Sequence, residues 1–230
     1  MLVNCVLLSY NRPSWVRDAL SSVQGQTHSN YRLIVVDEST IFDIGSVLNE
    51  YSFKDLELVR VTLTSEERHR RNPVGANMNL AMPLATEGLV CFLCDDDYYY
   101  PGWFEAASRH FEEHPDHQAG FGILNYSKEI GVSFSRVSRW GRRFFYEPVT
   151  DPFEKLDHTQ VVHRVFQPPY RWPEDFDKIK EPDAHYFREV AKDHAFHPIR
   201  ALAVVKREHS KALRWNVDAI EGGTLDASRE

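Results

Sequence analysis

Four short apolar runs, separated by longer periodic segments, constrain this chain most. Leu2–Ser9, Tyr31–Val36, Leu56–Leu63 and Leu89–Cys94 are rich in Leu, Val and Ile and have the length of strands. Between them lie segments with helical spacing: Trp15–Val23, in which Val16, Leu20 and Val23 share a face, then Ile44–Tyr51, and Asn72–Leu84 with Pro83 near its end. Asn11 or Ser14 is expected to cap the first helix. The connections are too long for hairpins, so the alternation predicts an α/β fold with a mostly parallel sheet flanked by helices.

In such sheets ligands bind beyond the carboxyl ends of the strands. Three polar groups fall at those ends: Tyr10-Asn11, Asp37-Glu38 and Asp95-Asp96-Asp97. The last is the most telling. Three adjacent carboxylates repel one another and gain nothing from an apolar core. A cation relieves that cost, and oxygen-only ligands favour Mg²⁺ or Mn²⁺, whose remaining positions are often filled by substrate phosphates. A solvated acidic turn is the plainer reading of the triplet alone.

The second half is less regular. Trp103–Glu113 reads as a helix, Gly120–Tyr126 and Val132–Val137 as strands, and Ala201–Lys206 as a late strand. Pro182 in a first turn, followed by Asp183 to Ala191, predicts one more short helix. Residues 140–182 show no clear period, and 221–230 read as a flexible tail.

Composition closes off several classes. A net charge of −7 argues against generic binding to nucleic acid or anionic membrane. Cys5, Cys91 and Cys94 lie in apolar runs and read as reduced thiols rather than a disulfide framework. No run approaches the roughly 20 apolar residues of a bilayer span. The N-terminus lacks a basic start and a cleavage signal. The expectation is a cytoplasmic protein with no stable membrane insertion.

Taken together and in order, several segments resemble the family 2 glycosyltransferases, most nearly their SpsA-like members. These are Ser9-Tyr-Asn-Arg-Pro13, Ile34-Val-Val-Asp-Glu-Ser39, Phe92-Leu-Cys-Asp-Asp-Asp-Tyr-Tyr-Tyr-Pro101, Leu156-Asp-His158 with Val162-His-Arg164, Glu181-Pro-Asp-Ala-His-Tyr-Phe187 and Arg207-Glu-His209. The resemblance implies a GT-A fold, with residues 1–101 as a nucleotide-sugar-binding half, 102–220 as a less regular half for acceptor and catalytic base, and 221–230 as a tail. It implies an inverting, metal-dependent transfer of a sugar, typically a hexose, from a UDP- or dTDP-sugar to an acceptor hydroxyl. That hydroxyl belongs to a saccharide, a lipid-linked sugar or a modified nucleic acid.

The resemblance also assigns roles. Tyr10 and Asp37 recognise the base, with Arg71, Asn77 and Asp95 as further nucleotide contacts. Asp96, Asp97 and His209 are metal candidates for Mn²⁺ or Mg²⁺. Asp183 is the general base with Glu181 as its competitor, and His158 and His163 line the acceptor pocket. Many members carry an acidic residue where Cys94 stands, which leaves two assignments of the triplet. Either Asp95 holds the ribose and Asp96 the metal, or Asp95 and Asp97 form the metal pair. The cluster Arg136-Val-Ser-Arg-Trp-Gly-Arg-Arg143 reads as a phosphate-clamping lid or as a basic strand edge. A nucleotidyltransferase and a non-catalytic nucleotide-sugar binder are the competing functions. Against the first, no Gly-rich phosphate loop follows the opening strand.

Overall fold

The computed structural model describes residues 1–64, 66–67, 72–128, 142–175 and 181–208. Arg71, His209, Val132–Val137, residues 136–141 of the arginine cluster and the 221–230 tail lie outside the described residues.

The four apolar runs are the parallel strands β1 (Val3–Ser9), β2 (Tyr31–Asp37), β3 (Leu56–Arg60) and β4 (Leu89–Cys94). They stand in the order β3-β2-β1-β4. Alternate residues of β1 point to opposite faces, as the period of a strand requires. Cys5 and Leu7 pack under α1 (Pro13–Gln24), which buries Val16, Ala19, Leu20 and Val23, and α2 (Ile44–Leu48) joins the same core. Val6 packs on the other face with Met78 and Ala81 of α3 (Pro73–Ala81). Each large side chain buried this way contributes about 1.5–3 kcal/mol.

The first helix is not capped as expected. Pro13 occupies its first turn, Arg12 stands at the N-cap, and no side chain caps it. Asn11 instead adopts a left-handed φ of 52°, which Asn tolerates. Its Oδ1 accepts from Thr40 N at 2.8 Å and Ile41 N at 3.2 Å, tying the β1–α1 turn to the loop after β2. Asn72 caps α3 by accepting from Val74 N and Gly75 N. Pro83 falls in a 3₁₀ turn (Met82–Leu84) that ends this helical segment. Gly75 is required where α3 meets the chain near Pro173, since a Cβ there would lie 1.8 Å from the Pro173 carbonyl oxygen.

Beyond β4 the sheet becomes mixed. The short strand β5 (Tyr98–Tyr99) follows the acidic triplet, and α4 (Trp103–Glu113) follows β5. Strand β6 (Ala119–Lys128) and the two-residue β7 (Arg142–Arg143) come next, then a 3₁₀ turn (His158–Gln160), β8 (Val161–Arg164), α5 (Pro182–Ala191) and β9 (Phe196–Glu208). Strand β8 runs antiparallel to both β4 and β6, while β9 runs parallel to β6. One sheet, β3-β2-β1-β4-β8-β6-β9-β5, therefore crosses both halves of the chain. Helix α4 packs on the α1 face, and α5 packs with α3 on the other. Among the described residues no helix is long and apolar enough to cross a membrane.

Candidate functional site

Strand register brings the three predicted polar groups together. Ser9 pairs with Asp37 across β1 and β2, and Leu8 pairs with Cys94 across β1 and β4. Tyr10, Asp37 and Asp95–Asp97 thus emerge side by side at one edge of the sheet. Asp37 is buried and accepts from Ser39 N at 3.2 Å. Tyr10 is 36% exposed, which leaves ring surface open to solvent, while its backbone N–H donates to Asp95 Oδ2 at 2.7 Å.

The three adjacent carboxylates have different surroundings. Asp95 is nearly fully buried and takes a second contact from Arg12 Nη1 at 2.7 Å. Asp97 is equally buried, accepts from Arg207 N at 2.9 Å and lies 3.9 Å from Lys206 Nζ. Asp96 keeps 14% of its side chain exposed and lies 3.2 Å from Arg12 Nη1. Burial pushes the Asp95 carboxyl up to about 6 against the pull of Arg12, with Asp96 adding repulsion. Burial likewise pushes Asp97 up to about 7 against Lys206, with Asp96 and Asp157 adding to the rise. Two basic side chains, Arg12 from the β1–α1 turn and Lys206 from β9, therefore offset part of the cost that the sequence alone leaves to a metal.

The second group comes from the C-terminal half. Asp157 caps the 3₁₀ turn by accepting from Thr159 N at 3.1 Å, and its other oxygen meets Lys206 Nζ at 2.6 Å. Burial opposes its charge, but Lys206, His158 and Thr159 outweigh burial and hold the carboxyl well below the usual range. Lys206 is raised in turn, burial again being outweighed, here by Asp157 and Asp97.

His158 links the two groups. Its Nε2 lies 3.1 Å from Cys94 Sγ, and its Nδ1 donates to Asp183 Oδ2 at 3.3 Å. Burial disfavours an imidazolium there, yet Cys94, Asp183 and Asp157 outweigh it and raise His158 well above the ordinary histidine range. Burial pushes the Cys94 thiol up. Asp183 is in the first turn of α5, and its side chain is 24% exposed. The helix is anchored by Tyr186, which stacks on Trp172 with ring centroids 4.3 Å apart, while Phe92 of β4 meets both rings edge-on. That packing fixes where Asp183 stands relative to β4. Glu181 precedes the helix on the exposed surface, its pKa raised by partial burial, then by Asp183 and Glu154. Asp157, His158 and Asp183 offer ligand atoms within 4.8 Å of one another, but Lys206 pairs with Asp157 and His158 is raised toward its cationic form, so the three form a charge network.

Two predicted residues sit elsewhere. His163 is fully buried in β8, bonded to Arg164 O and Tyr186 Oη and stacked on Phe166, so it is a core residue and not part of a pocket wall. Asn77 is buried inside α3, and its Oδ1 meets no hydrogen-bond partner among the described residues. Of the arginine cluster, Arg142 is exposed in β7, and the Arg143 guanidinium lies over the Tyr126 ring at 5.8 Å. Arg12 and Lys206 were missed as site residues. Arg12 had a signal, since the loop after β1 must neighbour the end of β4 once the sheet is parallel. Lys206 had none short of the pairing between β6 and β9.

Known proteins share this layout. Staphylococcus aureus TarS, residues 1–349 in complex with UDP-GlcNAc, superposes with a TM-score of 0.68 at 15% identity, covering 91% of this chain and 59% of that one. The same TarS fragment in complex with UDP gives 0.67 at 16% identity, over 100% and 67%. These likenesses show the GT-A fold. In sequence, Protein CgeD of Bacillus subtilis (strain 168) is 25% identical over 169 residues, 70% of this chain and 38% of its own length. An uncharacterized glycosyltransferase of Rickettsia felis is 30% identical over 113 residues, 48% of this chain and 17% of its own. The chain thus spans well under half of the curated relatives it matches. The model of the family described as Glycosyl transferase family 2 matches residues 5–169, most of the chain, and the chain belongs to that family.

Proposed function

We propose that this chain transfers a sugar from a UDP-sugar to an acceptor hydroxyl, with inversion, using a divalent cation at Asp96 and Asp183 as general base. The observation that carries the reading is the Cys94–His158–Asp183 chain of contacts. It ties a carboxylate on α5 to the residue that immediately precedes the acidic triplet.

Tyr10 stacks on the uracil and Asp37 accepts from its imide N–H, both standing beside the triplet at the strand ends. Asp95, already organised by Tyr10 N and Arg12, is placed for the ribose. Asp96 fits a hard cation best, because Asp95 and Asp97 are nearly fully buried while Asp96 keeps 14% of its side chain exposed. One carboxylate plus substrate phosphates is a usual way to hold Mg²⁺ or Mn²⁺. A cation held at Asp96 would supply charge stabilisation for the departing nucleoside diphosphate.

His158 holds Asp183 Oδ2, which leaves Oδ1 to take the acceptor proton as the acceptor oxygen forms its bond to the anomeric carbon and the bond to UDP breaks. Attack from the face opposite the leaving UDP inverts that carbon. Glu181 lies outside this contact chain and is the weaker candidate for the base. The UDP reading is supported by the complexes formed by the TarS neighbours. The acceptor class follows only from the need for a hydroxyl.

Donor turnover tests the reading. UDP-sugars with Mn²⁺ are expected to raise the melting temperature and to release UDP, slowly to water and faster with a suitable acceptor. Nucleotide binding without any UDP release across a panel of donors and acceptors would make this a binder. No shift with any UDP-sugar would remove the donor assignment.

A further inference from the structure

At the opposite end of the sheet from the acidic triplet, four histidines pack against one another. His110 is in the last turn of α4, His114 is its C-cap and His117 follows three residues on, a spacing that gathers all three on one side. His197 comes from β9, where it pairs with Gly120. Strands β6 and β9 run parallel to β4, since both lie across the antiparallel β8, so their first residues mark the N-terminal edge of the sheet.

We propose that His110, His114 and His117 form a binding site for a divalent transition metal of the zinc type, with His197 as its stacking support. The ring centroids of the three histidines are 4.9 Å (110–114), 5.1 Å (110–117) and 4.7 Å (114–117) apart. Three imidazoles around one tetrahedral Zn²⁺, with Zn–N of about 2.0–2.1 Å, have centroids about 5 Å apart and ligand nitrogens about 3.3 Å apart. His117 Nδ1 and His110 Nε2 already stand 3.1 Å apart. The third nitrogen is not yet converged with these two. It belongs to exposed His114, whose ring would have to turn out of its contacts with His110 and His117 to bring that nitrogen in. His197 lies flat on His117, centroids 3.4 Å apart at 8°, and fixes the plane of that ring.

Three of the four rings also lean toward the neutral form that a metal needs. Burial, then the other histidines, push His110 down to about 4. Burial lowers His117 and His197 as well; Asp116 opposes the fall at both, while Arg164 adds to it at His117. Neutral imidazoles offer both lone pairs once the proton of the His117–His110 hydrogen bond has moved to the far nitrogen of its ring. Imidazole ligands select Zn²⁺, Ni²⁺ or Co²⁺ over Mg²⁺ and Mn²⁺. This site therefore differs in chemistry from Asp96, and its existence does not depend on the proposed function.

Calorimetric titration of the full chain with Zn²⁺ alone tests the proposal. The expected result is a site that excess Mg²⁺ does not displace and that persists in Asp96→Ala. It weakens by about tenfold or more in His117→Gln and in His114→Gln. Exposed His114 keeps the test valid if His117→Gln does not fold. A smaller loss in the folded variants, or loss of the site in Asp96→Ala, overturns the assignment.

Discussion

The two sides of the crevice are assembled by different means. On the donor side, Tyr10, Asp37 and Asp95–Asp97 are carried to one edge by neighbouring parallel strands in register, and their partners are Arg12 and the backbone N–H groups of Tyr10, Ser39 and Arg207. On the base side, Asp157, His158 and Asp183 come from a 3₁₀ turn and a helix start, brought to β4 by the antiparallel insertion of β8 and by the Phe92–Trp172–Tyr186 cluster. Both sides bury a carboxylate against a basic side chain, Arg12 for Asp95 and Lys206 for Asp157. Lys206 reaches across, lying 2.6 Å from Asp157 and 3.9 Å from Asp97, and His158 joins Asp183 to Cys94 beside the triplet. The lesson is that the donor side follows from local strand order, while the base side depends on long-range packing that also ties it to the donor side.

Substitutions divide accordingly. Asp183→Asn removes the proposed base and nothing on the donor side. Transfer should fall by about 10²–10⁴-fold with UDP affinity nearly unchanged, as steady-state rates and calorimetry would read. Retained turnover would move the role to Glu181 or elsewhere. Lys206→Met strikes the joint between the two sides. Asp157 and Asp97 lose their shared cation while buried, and a loss of about 3–5 kcal/mol in denaturant stability is expected. A loss no larger than that of an exposed charge would mean the two sides are not coupled through it.

His163 gives a pH test confined to the base-side core. Burial pushes its pKa down to about 4 from 6.5. The unfolded chain takes up this proton below about pH 6.5 and the folded chain only below about pH 4. The stability it contributes is thus complete above pH 6.5 and is lost as pH falls through that window, on the order of 3 kcal/mol in all. Urea midpoints of His163→Gln should fall less than those of the parent between pH 6.5 and 4.5; parallel curves would show the residue to be solvated. The smallest effect is expected for Cys94→Ser, which keeps a hydrogen-bonding group against His158. Transfer should change by less than about tenfold, or about 1.4 kcal/mol in the barrier.

What was legible in the sequence tracks the same division. Strands β1, β2 and β4 and helices α1 and α4 follow from apolar runs and periodic faces, and a strand-end rule was enough to assemble Tyr10, Asp37 and the triplet. Strand β9 was only half visible. It begins at Phe196, but His197, Pro198 and Arg200 interrupt the apolar pattern that starts at Ala201. Strand β8 was lost within an aperiodic stretch because four residues, one of them the buried His163, are too few to show a period. His163 was misread because residue type alone does not separate a pocket histidine from one whose two nitrogens are satisfied in a core. The link through His158 was the least accessible, since it joins residues 94, 158 and 183 by contacts that only the tertiary fold creates.

The central claim is that the strand-end crevice holds a nucleotide-sugar through a cation at Asp96. Calorimetric titration of UDP into the parent chain and into Asp96→Ala, each with Mn²⁺ and again with EDTA, tests it most directly. The account predicts binding by the parent only when Mn²⁺ is present and none by Asp96→Ala in either condition. Equal UDP affinity in the variant, or in the parent with EDTA, would contradict it.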